Sequence, residues 1–253
     1  KAKPKEVYLS TFLPITSNCE VSLETSVREL SNDYVVHLKD SRVNRISIGI
    51  QSFDETVRKK NSRISGYSEI INTIDKIRET GIANRCADLM YNINGQTIQS
   101  WENDLNMIEK LSFTGCSVYP LLPFPGSPMM RNNTYKVPES HVEFEFFKLA
   151  DSFLTAIDRW QLFTTVQYGH SISGKAIYVQ MQADDADILA LGPSAGGKIN
   201  SINYLNTYTL DDFLNDTLVL TFSKVKTFWL PSEYDNLAKK LQLFKKGFLD
   251  KKL

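Results

Sequence analysis

Residues 45–50, Arg-Ile-Ser-Ile-Gly-Ile, put an isoleucine at every second position, which is the period of a strand with two unlike faces. The run then ends in the polar Gln51. Similar short runs recur: "CEVSLET", "CADLMY" and "CSVYPLL" read as strands. Between them the spacing lengthens to three and four, the period of an amphipathic helix. "SVRELSNDYVVHLKD" has Val27, Leu30, Tyr34, Val35 and Leu38 in this pattern, and a short helix is expected over Asp54–Lys60. "SEIINTIDKIRET" forms a longer helix stopped by Gly81, and "WENDLNMIEKL" one opened by Ser100. "ESHVEFEFFKLADSFLTAI" carries an apolar face through Phe147, Ala150 and Leu154. Strand, loop and helix in repeated alternation predict right-handed βαβ units around a mainly parallel sheet.

The ends are less regular. "KPKEVYLSTFLPI" has helical spacing up to Pro14, and "PFPGSP" is a loop. After Asp158 the alternation loosens, which divides the chain into 1–158 and 159–253. In the second part "LFTTVQY" and "ADILAL" read as strands, "GPSAGG" as a glycine turn, and "LDDFLNDTLVLTF" as the start of a helix. The closing "NLAKKLQLFKKGFLDKKL" predicts a solvated amphipathic helix with Leu237, Leu241 and Phe244 on one face.

Composition narrows the function classes. The 253 residues, 42% of them hydrophobic, suffice for a sizeable core. The formal net charge is zero, which argues against non-specific binding to nucleic acid or an anionic membrane. There is no apolar stretch of about 18 residues. Cys19, Cys86 and Cys116 are odd in number and widely spaced, which is no disulfide framework, and a reducing cytoplasm is the simplest setting.

Strand ends carry the candidate chemistry. In parallel α/β folds ligands bind outside the carboxyl ends of strands. Glu24 ends one apolar run, Gln51 another, and Asp88 lies within a third. Two carboxylates and an amide accept hydrogen bonds from ribose hydroxyls and an ammonium group. Leu122 offers an apolar surface for a purine, the glycine turn allows close backbone approach, and Arg63 can pair with a carboxylate. The set suits a charged, nucleoside-like molecule.

At these residues the chain resembles a known family. "CEVSLETSV", "RVNRISIGIQSFDETVRKKNSR", "ADLMYNINGQTIQSWENDL", "CSVYPLLPFPGSPMM" and "DILALGPSAGG" are similar, in order, to blocks of the radical S-adenosylmethionine enzymes of the oxygen-independent coproporphyrinogen oxidase group. "LLPFPGSPMM" and "SAGG" look closest to its anaerobic heme-degrading methyltransferases, named ChuW or HutW. The resemblance implies a partial (β/α) barrel lacking its first strands, with a carboxy-terminal α/β extension of the kind that group carries. It also implies S-adenosylmethionine contacts at Glu24, Gln51, Arg63, Asp88, Leu122 and Gly196. The implied cofactors are S-adenosylmethionine and a 4Fe-4S cluster; the implied partners are a tetrapyrrole such as heme and an electron donor such as a flavodoxin or ferredoxin.

The family's Cys-x-x-x-Cys-x-x-Cys motif does not occur in these 253 residues, so a fragment without cluster ligands or catalytic residues of its own is the expectation. "YNINGQT" stands where the family has Tyr-Gly-Leu-Pro-Gly-Gln-Thr, with Asn92 and Asn94 suited to the turn. In "VQYGHSISGKAIYV", which departs further from the family, Tyr168, His170 and Tyr178 are candidate tetrapyrrole contacts. The leading expectation is part of an enzyme that methylates and opens heme. A heme-binding or heme-delivery protein, a coproporphyrinogen dehydrogenase-like protein, and an inactive remnant are the alternatives.

Overall fold

The computed structural model describes residues 15–122, 126–132, 139–158, 160–164, 166–170, 173–200, 202–218 and 226–229. The helices expected before Pro14 and over the last eighteen residues lie outside them. The chain forms two compact units, Lys1–Ala176 and Ile177–Leu253. The first unit thus runs past the expected border at Asp158, because a strand pair after it joins the first sheet.

That sheet contains β1 (Ser22–Ser26), β2 (Arg45–Gln51), β3 (Asn84–Tyr91), β4 (Gly115–Pro120), β5 (Trp160–Thr164) and β6 (Gln167–His170). Their spatial order is β1-β2-β3-β4-β6-β5. The first four are parallel, while β6 is antiparallel to both neighbours. The mostly parallel α/β architecture expected from the alternating periods is therefore present. "LFTTVQY" is a hairpin of two strands rather than one, and "ADILAL" contributes only an isolated bridge at Ile188.

The helices of this unit are α1 (Asn32–Lys39), α2 (Glu55–Lys60), α3 (Tyr67–Glu79), α4 (Ile98–Lys110), α5 (Pro128–Arg131) and α6 (Ser140–Thr155). A 3-10 turn at Val27–Glu29 precedes α1, so the helix predicted over 26–40 starts later than its apolar spacing suggests. Ser31 caps it by accepting from the Tyr34 N–H. Ser100 does not open α4; it is the third helical residue. Thr97 is the N-cap, and the two side chains bond each other's backbone N–H. α3 ends at Glu79, and Gly81 follows with φ +82°, a left-handed stop that glycine adopts freely.

The core lies between these helices and one face of the sheet. Ile46, Ile48 and Ile50 of β2, Ile70, Ile74 and Ile77 of α3, and Trp101, Leu105 and Ile108 of α4 are all buried in one cluster. Each such side chain contributes roughly 1.5–3 kcal/mol by leaving water. Burial of the odd-numbered neighbours in β2 has a different origin, because they occupy the sheet's other face.

The second unit contains α7 (Ile177–Ala183), β7 (Gly196–Ile199), β8 (Ile202–Leu205), α8 (Leu210–Leu218) and β9 (Lys226–Trp229). Its strands form an antiparallel sheet in the order β7-β8-β9. The turn in "GPSAGG" is made by Gly192 (φ +103°) and Ser194 (φ +61°). Gly196 is the first residue of β7 and not part of the turn. No described helix is long and apolar enough to cross a membrane.

Candidate functional site

Strand register assembles the site. Side chains alternate across a strand, and laterally paired residues of neighbouring strands share a face. Glu24 pairs with Ser47, Ser47 with Cys86, Gly49 with Asp88, and Asp88 with Ser117. These residues, with Arg45 below and Tyr119 above, share the face opposite Ile46, Ile48 and Ile50. Helices cover the isoleucine face; this one is polar.

Glu24 and Asp88 are not strand tips. Glu24 is central in β1 and Asp88 stands just past the middle of β3, so both carboxylates rise from the sheet surface. The Ser47 hydroxyl lies 2.9 and 3.0 Å from the two Asp88 oxygens. Burial pushes the Asp88 pKa up, Ser47 opposes the shift, and the Glu24 charge adds to it. Arg45 is buried, and its Nη1 donates to the Ser22 hydroxyl at 2.9 Å. Its charge favours the ionised form of Asp88. The Cys86 thiol is pushed up to about 11 and the Tyr119 phenol to about 12, both mainly by burial. Neither is ionised at neutral pH, so neither is a ready nucleophile.

Gln51 is a true strand end, and its backbone is unusual. The register slips between Gly49 and Gln51, and Gln51 has φ +70°, which for a residue with a Cβ costs on the order of 1–3 kcal/mol. Its side chain folds back over Gly49: a Cβ there would stand 3.0 Å from the Gln51 Nε2 and 3.5 Å from the Thr25 carbonyl oxygen. The amide therefore reaches the polar face through space that only glycine leaves open. It makes no hydrogen bond among the described residues.

The flanking peptides are held from outside the face. Arg58 of α2, 4% exposed, donates through Nη1 to the carbonyls of Ile50 and Ser52, the latter at 3.0 Å, and through Nε to Ser65 at 2.7 Å. Asp104 of α4, 1% exposed, accepts from the Phe53 N–H at 2.6 Å. Its other oxygen accepts from Gln96 Nε2 at 3.4 Å. Burial pushes the Asp104 carboxyl up to about 6.

Arg63 is exposed on the loop between α2 and α3. It lines a cleft of about 110 Å³ together with Ser26, Gly49, Arg58, Ser62 and Ser65, so it faces the same strand ends as Gln51. Leu122 follows β4 and is 69% exposed. Gly196 belongs to the second unit.

The proposed tetrapyrrole contacts fare differently. Tyr168 is fully buried and pairs with Cys116, on the helix-covered face, and its hydroxyl donates to Asp151 at 2.9 Å. It is a core residue, not a pocket wall. His170 lies on the same side; its ring meets Trp160 edge-on at 5.4 Å, and its Nδ1 lies 3.2 Å from the Ser173 hydroxyl. Tyr178 lies in the second unit, on α7, where its hydroxyl accepts from Gln182 at 2.8 Å. Ser47, Ser117, Tyr119 and Arg45 were missed by reading only strand ends, although the polar alternation Arg45-Ser47-Gly49-Gln51 contains the signal.

Two groups invite a fit test. A cosubstrate with an ammonium, hydroxyls and a carboxylate fits the polar face, which offers two carboxylates, an amide over the Gly49 gap with no partner among the described residues, and a nearby guanidinium. An iron–sulfur cluster does not fit the described cysteines. Cys86 faces the polar side, Cys116 the helix side, and Cys19 lies in the loop before β1, whereas cluster thiolates must converge.

Comparison with known proteins agrees with this geometry. Residues 2–108 match the model of the Radical SAM superfamily. Over that segment the chain is similar to radical SAM domains. It is 27% identical over 201 residues to an anaerobilin synthase of Escherichia coli O157:H7, covering 78% of this chain and 45% of that protein. It is also 27% identical over 146 residues to the heme chaperone HemW of Bacillus subtilis strain 168, covering 56% and 38%. The chain thus spans less than half the length of either. A likeness in fold extends beyond the matched segment: a solved coproporphyrinogen III oxidase of Escherichia coli, described as a radical SAM enzyme, superposes with a TM-score of 0.74 at 20% identity. That match covers 93% of this chain and 57% of that one.

Proposed function

We propose that this chain is the S-adenosylmethionine-holding part of a radical SAM enzyme acting on a tetrapyrrole, with heme as the substrate it degrades. The observation that carries the reading is the shared face of Glu24 and Asp88, with the Gln51 amide turned onto it over Gly49. The similarity to an anaerobilin synthase over 78% of the chain supports the reading.

In this reading the residues bind and orient. Asp88 and Glu24 accept hydrogen bonds from the ribose hydroxyls and the ammonium group of the cosubstrate, Gln51 supplies an amide that both donates and accepts, and Arg63 meets the methionine carboxylate. Leu122 is assigned to the same ligand, as an apolar surface. None of them acts as acid or base. An electron donor completes the system, and the described residues provide no cluster ligands through which a redox step can be written.

The test is calorimetric titration of S-adenosylmethionine into the chain and its Asp88→Ala variant. Binding that the variant weakens at least tenfold is expected; equal affinities overturn the reading. A heme-delivery role is the second reading, favoured by the similarity to a heme chaperone. Heme titration separates the two: a Soret shift without any S-adenosylmethionine binding favours delivery.

A further inference from the structure

Gln51 carries backbone strain at the position where the site needs an accurately aimed amide. Strained residues persist only where their surroundings over-determine them, so the groups bonded to the peptides around Gln51 carry information about function. Three bonds matter. Arg58 takes the carbonyls on either side of Gln51, those of Ile50 and Ser52. Asp104 takes the Phe53 N–H. The strand end is thereby gripped through the peptides on either side of the Gln51–Ser52 bond, the second of them held at both its carbonyl and its N–H.

Arg58 does a second thing. Its Nε donates to the Ser65 carbonyl, and its own carbonyl accepts from the Arg63 N–H at 2.9 Å. The loop that presents Arg63 is therefore tied to the residue that holds Gln51. A planar guanidinium with its donors in a fixed fork suits this task, because it sets the angles between the carbonyls it binds. Arg58 and Asp104 are both almost fully buried, and the Asp104 charge favours the charged form of Arg58. Sequence pattern marks Asp104 as out of place: it occupies the apolar stripe of α4 with Trp101, Leu105 and Ile108.

We propose that Arg58 and Asp104 are a positioning pair that holds Gln51 in its left-handed turn and Arg63 beside it, so that both aim at one cosubstrate. The ligand named here rests on the proposed function; the clamp itself does not. Loosening the pair lets the Gln51 peptide relax to an ordinary strand conformation, which swings the amide off the Gly49 gap without disturbing the isoleucine core behind it.

The experiment compares the 253-residue chain with its Arg58→Met, Arg58→Lys, Asp104→Ala, Asp104→Asn and Gln51→Ala variants. Three quantities are measured: thermal midpoint, amide hydrogen exchange at Phe53, and S-adenosylmethionine affinity by titration. Asp104→Ala is expected to speed Phe53 exchange at least tenfold and weaken binding at least tenfold. Asp104→Asn keeps an oxygen toward Phe53, so its affinity should stay within threefold of the parent and its exchange should be no faster. Arg58→Met should weaken binding as much as Gln51→Ala. Should Arg58→Met fail to fold, Arg58→Lys, which cannot serve three carbonyls, is expected to show the same loss. Folded Arg58 and Asp104 variants with parental affinity, beside a Gln51→Ala variant that loses it, overturn the proposal. If the parent binds no S-adenosylmethionine, the functional reading falls, and Phe53 exchange alone decides the clamp: unchanged exchange in Asp104→Ala refutes it.

Discussion

Gly49 and Gln51 are a matched pair: the space a Cβ would fill at position 49 is the space over which the Gln51 amide lies, 3.0 Å from that point. The glycine in "SIGIQS" is thus explained by its neighbour's side chain and not by its own backbone, for which no left-handed φ is required.

Gly49→Ala should separate binding from stability. The added methyl meets the flexible end of a side chain, which moves at small cost, so the thermal midpoint should fall by no more than a few degrees. S-adenosylmethionine affinity should drop about tenfold as the amide is displaced. Differential scanning calorimetry and titration on the same samples check both.

Gly174→Ala should do the opposite. A Cβ there collides with the His170 backbone N, the Thr114 carbonyl and the Gly169 Cα, all backbone atoms that cannot turn aside. Loss of about 3 kcal/mol or more is expected from such overpacking, seen as a large shift in urea midpoint or as insoluble protein.

Asp104 makes stability depend on pH in an uncommon direction. Its folded pKa of about 6 lies above the ordinary aspartate value of 3.8, so the folded state holds the proton more tightly than the unfolded chain. Its contribution is therefore full below about pH 4 and is lost as pH rises through 6. Asp104→Asn cannot ionise and escapes that loss. Relative to the parent, it should gain on the order of 2–3 kcal/mol between pH 4 and pH 7. Urea denaturation of both proteins across this range tests the slope.

Tyr168→Phe removes the hydroxyl that donates to Asp151. A loss of about 1 kcal/mol is expected, with no change in any heme titration, since the ring lies on the helix-covered side. A weakened Soret response at unchanged stability would restore Tyr168 to the substrate site.

The fold was legible where period and length agreed. In β2 the alternation of Ile46, Ile48 and Ile50 gives both the strand and its buried side. Asn92, standing where relatives have glycine, does adopt φ +55°. Faces were harder. Tyr168 looked like a pocket wall because a four-residue strand holding a glycine has no readable parity; only its pairing with Cys116 reveals its side. Gln51 is marked by its position after an apolar run, but the register slip that turns it, and the buried Arg58 and Asp104 that hold it, depend on contacts 6 to 51 residues apart.

Ser47 has a single hydroxyl proton to offer the two oxygens of Asp88. It can satisfy one of them at a time, so the carboxylate always keeps lone pairs unclaimed by this partner and can trade which oxygen is engaged. An acceptor of that sort accommodates two adjacent donors, such as neighbouring hydroxyls on a sugar, without first surrendering the bond that steadies it.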